Sequence, residues 1–337
     1  MASEKQGLDG ALLETFDWYP VAKKEFRDAI RSKGLWILSF LFTALFLLPA
    51  GRALFLGENI RRDVAEVGMQ FFISSAYLNI VTLLVPIIVI FAAYAAVSEE
   101  RVSGSLKVLL SLPFSRRDVI IGKVVGRSAV VGVPLMIAIT LTGVFFAISQ
   151  FQFKFDVFAW FTLFTVAFTL VMVAFVVSIS GAMSTNLRSL AGSGIVYFYL
   201  SFGWNSLANW IGDLLADYLG ITGALRWNVV LFVKLLSPTQ AYKTLTNSML
   251  GEGSGAATTA RYSMFRQGPE SMKTICADVL AGNPKTVQSM FGNRTVCESG
   301  GSAVPFYFSD PAVFLSLFLW IGLAAAISYY TFDRVDL

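Results

Sequence analysis

The sequence predicts an all-α polytopic membrane protein. Hydrophobic residues make up 55% of the chain and charged residues 14%, whereas a soluble domain carries about 25% charged residues. Uncharged apolar runs recur along the chain, each close to or above the ~20 residues that a helix needs to cross a bilayer. The clearest run, Phe71 to Val97, ends abruptly in Ser98-Glu99-Glu100-Arg101, as a span does where it meets water.

Six such runs predict six transmembrane helices. Aromatic residues of the kind that anchor spans at the membrane interface lie near several ends, for example Trp36, Trp160 and Trp210. We expect the first run to be a retained span, because no small-residue cleavage site follows it. The six runs are Gly34 to Gly51, Phe71 to Val97, Ser128 to Phe153, Val157 to Met183, Leu190 to Ile211 and Pro311 to Phe332.

The charges between the runs predict the orientation. Lys and Arg concentrate before the first run and between the second and third, so both segments should be cytoplasmic under the positive-inside rule. Six spans then place both termini in the cytoplasm and make the chain a multi-pass protein of the plasma membrane. The predicted divisions are a cytoplasmic segment at 1–33, spans one to five at 34–211, an extracellular loop or small subdomain at 212–310, and the last span with its cytoplasmic tail at 311–337.

The predicted exterior loop contains both cysteines, Cys276 and Cys297. Outside the cell these thiols should oxidise to a disulfide, which closes a loop worth about 3 kcal/mol by the chain-entropy estimate. The alternative is two unpaired buried thiols. Asn293-Arg294-Thr295 matches the glycosylation sequon, so Asn293 is a candidate acceptor, although three-residue matches also arise by chance.

The composition argues against catalysis and metal binding. The chain has no histidine and two cysteines, so it lacks the usual ligands of zinc, haem and iron–sulfur sites, and the usual base for a nucleophile is missing. Gly122-Lys123 is not a phosphate-binding loop, because Val124 follows it and Arg117 stands where the motif needs glycine. We therefore expect no catalytic residue, metal or cofactor in this chain, and no nucleic-acid partner.

Two uncharged polar stripes run along predicted spans. Their members recur at helical spacing, so each stripe lies on one helical face. They could simply hydrogen-bond neighbouring helices or their own backbone, as is common in membrane bundles. They could instead line a central path for an amphipathic or lipid-like substrate, which would explain polarity without charge. The stripes are Ser75, Asn79 and Thr82 on the second span and Ser201, Asn205 and Asn209 on the fifth.

Two cytoplasmic elements carry further patterns. Ala22, Phe26 and Ile30 recur at helical spacing opposite Lys and Arg residues, which predicts an amphipathic helix lying on the membrane surface. A helical hairpin is predicted at 99–127. Its first arm carries the apolar face Leu106, Leu109 and Leu110, and its second arm begins at a variant capping box, Ser115-Arg116-Arg117-Asp118. A solvated loop is the alternative, but exposed leucines favour a protein partner.

These elements together resemble a known family. The segments that carry the resemblance are Ala22-Lys23-Lys24-Glu25-Phe26-Arg27, Glu100-Arg101-Val102-Ser103-Gly104-Ser105-Leu106, Ser115 to Lys123, and Leu236-Ser237-Pro238. The chain resembles the permease subunit of a type-2 ATP-binding-cassette exporter and is similar to the nitrous-oxide-reductase accessory permease branch.

The resemblance implies a pair of permease copies, identical or different, working with two separate ATPase subunits that bind ATP and magnesium. It also implies that the second and fifth spans line the path. The residues expected to couple to the ATPase are Glu99, Glu100, Arg101, Ser105, Leu106, Leu109 and Leu110.

The predicted function is outward movement of an amphipathic substrate, driven by ATP hydrolysis on the partner. The alternative is a membrane anchor, scaffold or mechanotransmitting subunit whose exterior loop binds another protein. A channel is a third possibility.

Overall fold

The computed structural model describes residues 15–55, 68–105, 115–250, 269–289, 292–299 and 305–333. Within these ranges the chain is mostly helical, as predicted. The all-α prediction needs one correction, because a two-stranded antiparallel hairpin lies in the segment predicted as exterior loop.

The N-terminal half begins with the predicted amphipathic helix α1, Tyr19–Arg31, and the first span α2, Lys33–Ala53. The second span is a composite helix that contains π turns. In a π turn the backbone hydrogen bond joins residues five apart, instead of four apart as in an α-helix. The parts of this span are α3 at Met69–Phe72, π turns at Ile73–Tyr77 and Ile80–Leu84, and α4 at Val85–Ala93. The short helix α5, Ser98–Val102, follows.

Two long helices form the centre of the bundle, α6 at Arg116–Ile148 and α7 at Phe155–Ala182. The predicted capping box at the start of α6 is confirmed. The amide of Asp118 donates to Ser115 Oγ at 3.2 Å, and the amide of Ser115 donates to Asp118 Oδ2 at 3.1 Å. Because this reciprocal pair satisfies amides that have no partner within the helix, it sets where α6 begins.

One composite helix then continues from α8, Asn186–Phe198, through a π turn at Tyr199–Gly203 into α9, Trp204–Leu219. It contains the predicted fifth span. Five of the described helices are long and apolar enough to cross a membrane, but this helix is not one of them. Serine and asparagine side chains lower its hydropathy, so the predicted fifth span, and with it the total of six, stays a prediction. The five are Lys33–Arg52, Met69–Val102, Arg116–Ile148, Phe155–Ala182 and Asp310–Ile327.

The segment predicted as an exterior loop begins with two helices that pack against the bundle, α10 at Gly223–Leu235 and α11 at Pro238–Met249. Helix α11 is almost entirely buried and contacts α7 and the last helix, α13, Asp310–Asp333. The hydroxyls of Tyr242 and Thr165 lie 3.0 Å apart, and Trp320 Nε1 donates to Leu236 O at 2.6 Å. Residues 223–249 therefore do not form a separate subdomain, and an extracellular location for the remainder stays a prediction.

The remaining elements are α12 at Pro269–Thr274, a π turn at Ile275–Val279, strands β1 at Gly282–Ser289 and β2 at Gly292–Ser299, and a 3-10 turn at Phe306–Phe308. A disulfide joins Cys276 in the π turn to Cys297 in β2, and both residues are buried. Asn293 lies on β2 in register with Gln288 of β1, and its glycosylation stays a prediction. The disulfide ties the hairpin to a π turn that packs on α10.

We expect protein isolated without reductant to carry the Cys276–Cys297 disulfide in non-reducing mass analysis. Replacing both cysteines with alanine should lower the free energy of unfolding by about 3 kcal/mol, because the crosslink no longer restricts the unfolded chain. Thiols that react with an alkylating reagent before any reduction would refute the pairing.

Candidate functional site

A cavity of about 510 Å³ lies between the second span, the composite helix of α8 and α9, and α11. We call it the central cavity. Four of the six residues predicted to face a path line it, namely Asn79, Thr82, Ser201 and Asn205. The polar stripes of the second and fifth predicted spans therefore meet at one place.

Ser75 and Asn209 are not among the residues that line the central cavity. The prediction for Ser75 assumed a regular α-helix. The π turn at Ile73–Tyr77 changes the rotation per residue, so Ser75 and Asn79 do not lie on the same face of the helix. The Ser75 hydroxyl donates instead to Phe71 O of its own helix, at 2.6 Å.

Helix α11 supplies polar cavity residues that sequence reasoning missed: Ser237, Thr239, Gln240 and Lys243. The segment was interpreted as exterior loop, so its polar residues were not considered for a path. The available signal was Ser237-Pro238 as a helix start, followed by polar residues at helical spacing. Lys243 adds a cation to a path that was predicted to be uncharged.

The polar groups of the central cavity also connect helices, which supports part of the alternative interpretation of the stripes. The hydroxyls of Ser201 and Thr239 lie 3.3 Å apart, and the Tyr197 hydroxyl donates to Thr82 O at 2.9 Å. Thr82 and Asn79 side chains donate to carbonyls one turn earlier in their own helix. The stripes therefore both line the cavity and hold its walls together.

A second site lies where α1 meets α5 and α6. Lys123 Nζ lies 3.0 Å from Glu25 Oε1 and 2.9 Å from Glu100 Oε1, and the lysine is 1% exposed. Arg127 Nε lies 3.0 Å from Glu25 Oε2, and Lys24 Nζ lies 3.7 Å from Glu100 Oε1. We call these five residues the charged cluster. They join α1, α5 and α6 through one buried ammonium.

The close approach of α1 to α6 depends on Gly122 and Gly126. A Cβ atom at Gly122 would lie 2.7 Å from Trp18 O, and one at Gly126 would lie 3.1 Å from Ala22 O. The approach brings Glu25 beside Lys123 and Arg127. Burial alone would raise the pKa of Glu25, but these two cations outweigh it and hold the pKa below its usual value. Glu25 is thus kept ionised in a nearly enclosed position.

Arg101 fixes the other side of α5. Its Nη1 donates to Met183 O at 2.8 Å and its Nη2 to Gly181 O at 2.7 Å, so it satisfies carbonyls at the C-terminal end of α7. Ser98 Oγ donates to Asn186 Oδ1 at 2.6 Å. Helix α5 is therefore attached to α6 through Glu100 and to the α7–α8 connection through Arg101 and Ser98.

These contacts change the interpretation of the predicted coupling residues. Glu100 and Arg101 contact other parts of this chain, whereas Glu99 and Ser105 are exposed. Leu106, Leu109 and Leu110 lie outside the described residues. Direct contact of any of them with an ATPase stays a prediction, and the structure gives Glu100 and Arg101 a positioning role.

A mostly helical chain with five candidate spans and a polar cavity between helices is consistent with a polytopic membrane protein. Residues 19–337 match the model of the ABC-2 family transporter proteins, and the chain belongs to that family. It is thus a permease subunit of an ABC transporter, a membrane component that the family pairs with an ATPase.

Two relatives share the same description. The chain is 27% identical over 241 residues, 70% of its length and 83% of the relative's, to the probable ABC transporter permease protein NosY of Stutzerimonas stutzeri. It is 29% identical over 119 residues, 35% of its length and 42% of the relative's, to the protein of that description in Pseudomonas aeruginosa.

Proposed function

We propose that this permease moves an amphipathic, lipid-like substrate outward across the plasma membrane through the central cavity. The observation that carries the proposal is the convergence of Asn79, Thr82, Ser201 and Asn205 on one cavity between helices. Hydroxyl and amide groups bind a polar headgroup without the desolvation cost of charged residues in a membrane. Lys243 at the same cavity favours a headgroup with a negative charge.

The driving force in this proposal is ATP hydrolysis on a separate subunit that holds ATP and magnesium. Two permease copies work with the ATPase, and six spans place both termini and the α1 end of the bundle in the cytoplasm. The ATPase docks on the segment that begins at Glu99. Movement there reaches α6 through the charged cluster and α7 through Arg101, because α5 is attached to both.

Single cysteines test the path in a variant that lacks the native pair. Cysteines replacing Asn79, Ser201 and Asn205 should react with a water-soluble thiol reagent, because the reagent needs access and a thiolate. Their reaction rates should change when ATP is added to the assembled complex. Cysteines replacing Leu141 and Ile195, which are exposed apolar side chains of the bundle, serve as controls and should stay unreactive.

Equal protection at all five positions in every nucleotide state would contradict the path. The polar residues would then serve to hold helices together. The second candidate function, a scaffold or mechanotransmitting subunit whose exterior part binds another protein, would replace export. The observation that favours this candidate is the hairpin, which the disulfide ties to a π turn that packs on α10.

Coupling has its own test. Replacing Leu106 and Leu109 with Asp should abolish co-purification of the ATPase while the permease still inserts, because burying unpaired carboxylates costs several kcal/mol of association. Replacing exposed Leu187 and Leu225 with Asp is the matched control and should leave the ATPase bound. Retention of the ATPase by the first variant would show that it docks elsewhere.

A further inference from the structure

A second cavity, of about 740 Å³, lies beside the charged cluster, between α1, the start of α2, the end of the second span and α6. We call it the lateral cavity. It has one apolar wall and one charged side. The apolar wall comprises Leu35, Leu38, Ile88, Phe91, Ala95 and Val130, and the charged side comprises Lys24, Glu25, Asp28, Glu99, Glu100 and Arg127.

The charges on this cavity do not balance. Its cations already face carboxylates, since Arg127 pairs with Glu25 and Lys24 lies near Glu100. Asp28 and Glu99 are exposed to the cavity, and no cation of the described chain pairs with either. Glu100 Oε2 is buried and has no hydrogen-bond partner among the described residues. The charged side therefore offers acceptors for a positively charged group.

The apolar wall belongs to membrane spans. Leu38 lies on α2, and Ile88 and Phe91 lie on α4, with Phe91 64% exposed. Both residue groups belong to helices that are long and apolar enough to cross a membrane. An acyl chain would cover them at no cost in polar desolvation. The cavity thus combines an apolar surface on candidate membrane spans with acceptors for a cation at its charged side.

We propose that the lateral cavity binds a membrane phospholipid with an ammonium headgroup. The ammonium lies between the exposed carboxylates of Asp28 and Glu99, and the acyl chain lies along Leu38, Ile88 and Phe91. The proposal concerns the bilayer leaflet on the α1 side. It does not depend on the central cavity. Because Glu99 also begins the segment proposed to dock the ATPase, lipid binding and ATPase binding are measured separately.

The test uses the full-length permease in nanodiscs that contain equal amounts of phosphatidylethanolamine and phosphatidylglycerol. Native mass spectrometry then measures the ratio of the two lipids that remain bound. The wild type should retain phosphatidylethanolamine in preference to phosphatidylglycerol. The double variant Asp28→Asn, Glu99→Gln should lower that ratio about fivefold, because two partly exposed charge interactions are lost without a change of shape.

The matched control is Asp156→Asn with Asp217→Asn, which removes the same number of carboxylates from other parts of the bundle and should leave the ratio unchanged. A second variant, Ala95→Phe, fills the cavity and should reduce binding of both lipids.

The proposal is wrong if the carboxamide variant and the control retain the same lipid ratio. It is also wrong if the carboxamide variant keeps its lipid but loses the ATPase, since the carboxylates would then be a protein docking surface. Gel filtration of each variant as a single symmetric species shows that altered lipid binding does not reflect misfolding.

Discussion

Replacing Lys123 with Met should destabilise the protein by about 3 to 5 kcal/mol, the usual cost of removing one partner from a buried ion pair. The ammonium is 1% exposed and lies about equally close to Glu25 and Glu100. Without it, two carboxylates face each other in a poorly solvated position. We expect a lower thermal unfolding midpoint in detergent and faster tryptic cleavage within α1, because Glu25 is the side chain that links α1 to the charged cluster.

A second substitution separates charge from packing. Lys123→Met combined with Glu100→Gln should recover at least half of the lost stability, because Glu25 keeps Arg127 as a partner and Glu100 no longer carries a charge. Lys33→Met, at an exposed lysine of α2, should stay within about 0.5 kcal/mol of the wild type. If Lys123→Met were as stable as Lys33→Met, the charged cluster would not hold α1 in place.

Replacing Arg101 with Met should cost about 3 kcal/mol or more, because two charge-assisted hydrogen bonds to Gly181 O and Met183 O are lost together. Arg101→Lys should recover less than half of this. A lysine carries its charge on one nitrogen, whereas the planar guanidinium of arginine reaches two carbonyls at once. The thermal unfolding midpoint measures both effects.

The functional consequence of the Arg101 variants should appear in the assembled complex. With α5 released from the end of α7, ATP hydrolysis should continue while substrate movement falls, because the docking segment no longer moves α7. Arg188→Lys provides the control, since Arg188 makes an exposed hydrogen bond to Ser184. If Arg101→Lys and Arg188→Lys lost substrate movement equally, the contact of the planar Arg101 guanidinium with two carbonyls would be unimportant.

Local patterns in the sequence predicted the local features of this fold. The apolar runs predicted the five helices that are long enough to span, and Ser115 with Asp118 predicted the start of α6. The predicted fifth span does not meet the hydropathy of a candidate span, because the polar residues that line the cavity, such as Ser201 and Asn205, lower the hydropathy of their helix. A helix that lines a polar path is less apolar than one that faces lipid.

The features that sequence reasoning missed depend on distant contacts. Lys123 and Glu25 lie 98 residues apart, and no local pattern pairs them. The polar residues of α11 were predicted to lie in an exterior loop, although tertiary packing buries them between α7 and α13. Ser75 was misplaced because helical spacing assumed 3.6 residues per turn, and the π turns of the second span could not be foreseen from its composition.

These π turns give the central cavity a means of changing its lining without large movements of whole spans. The second span contains two, on either side of Asn79, and the helix opposite contains one that includes Ser201. A π turn contains one residue more than an α turn. If a π turn moved along its helix, the residues that it passes would rotate by about 100° and shift by about 1.5 Å, while the rest of the helix stayed in place. A substrate bound to Asn79 or Ser201 would thereby lose its contacts with these side chains through a local twist of the backbone.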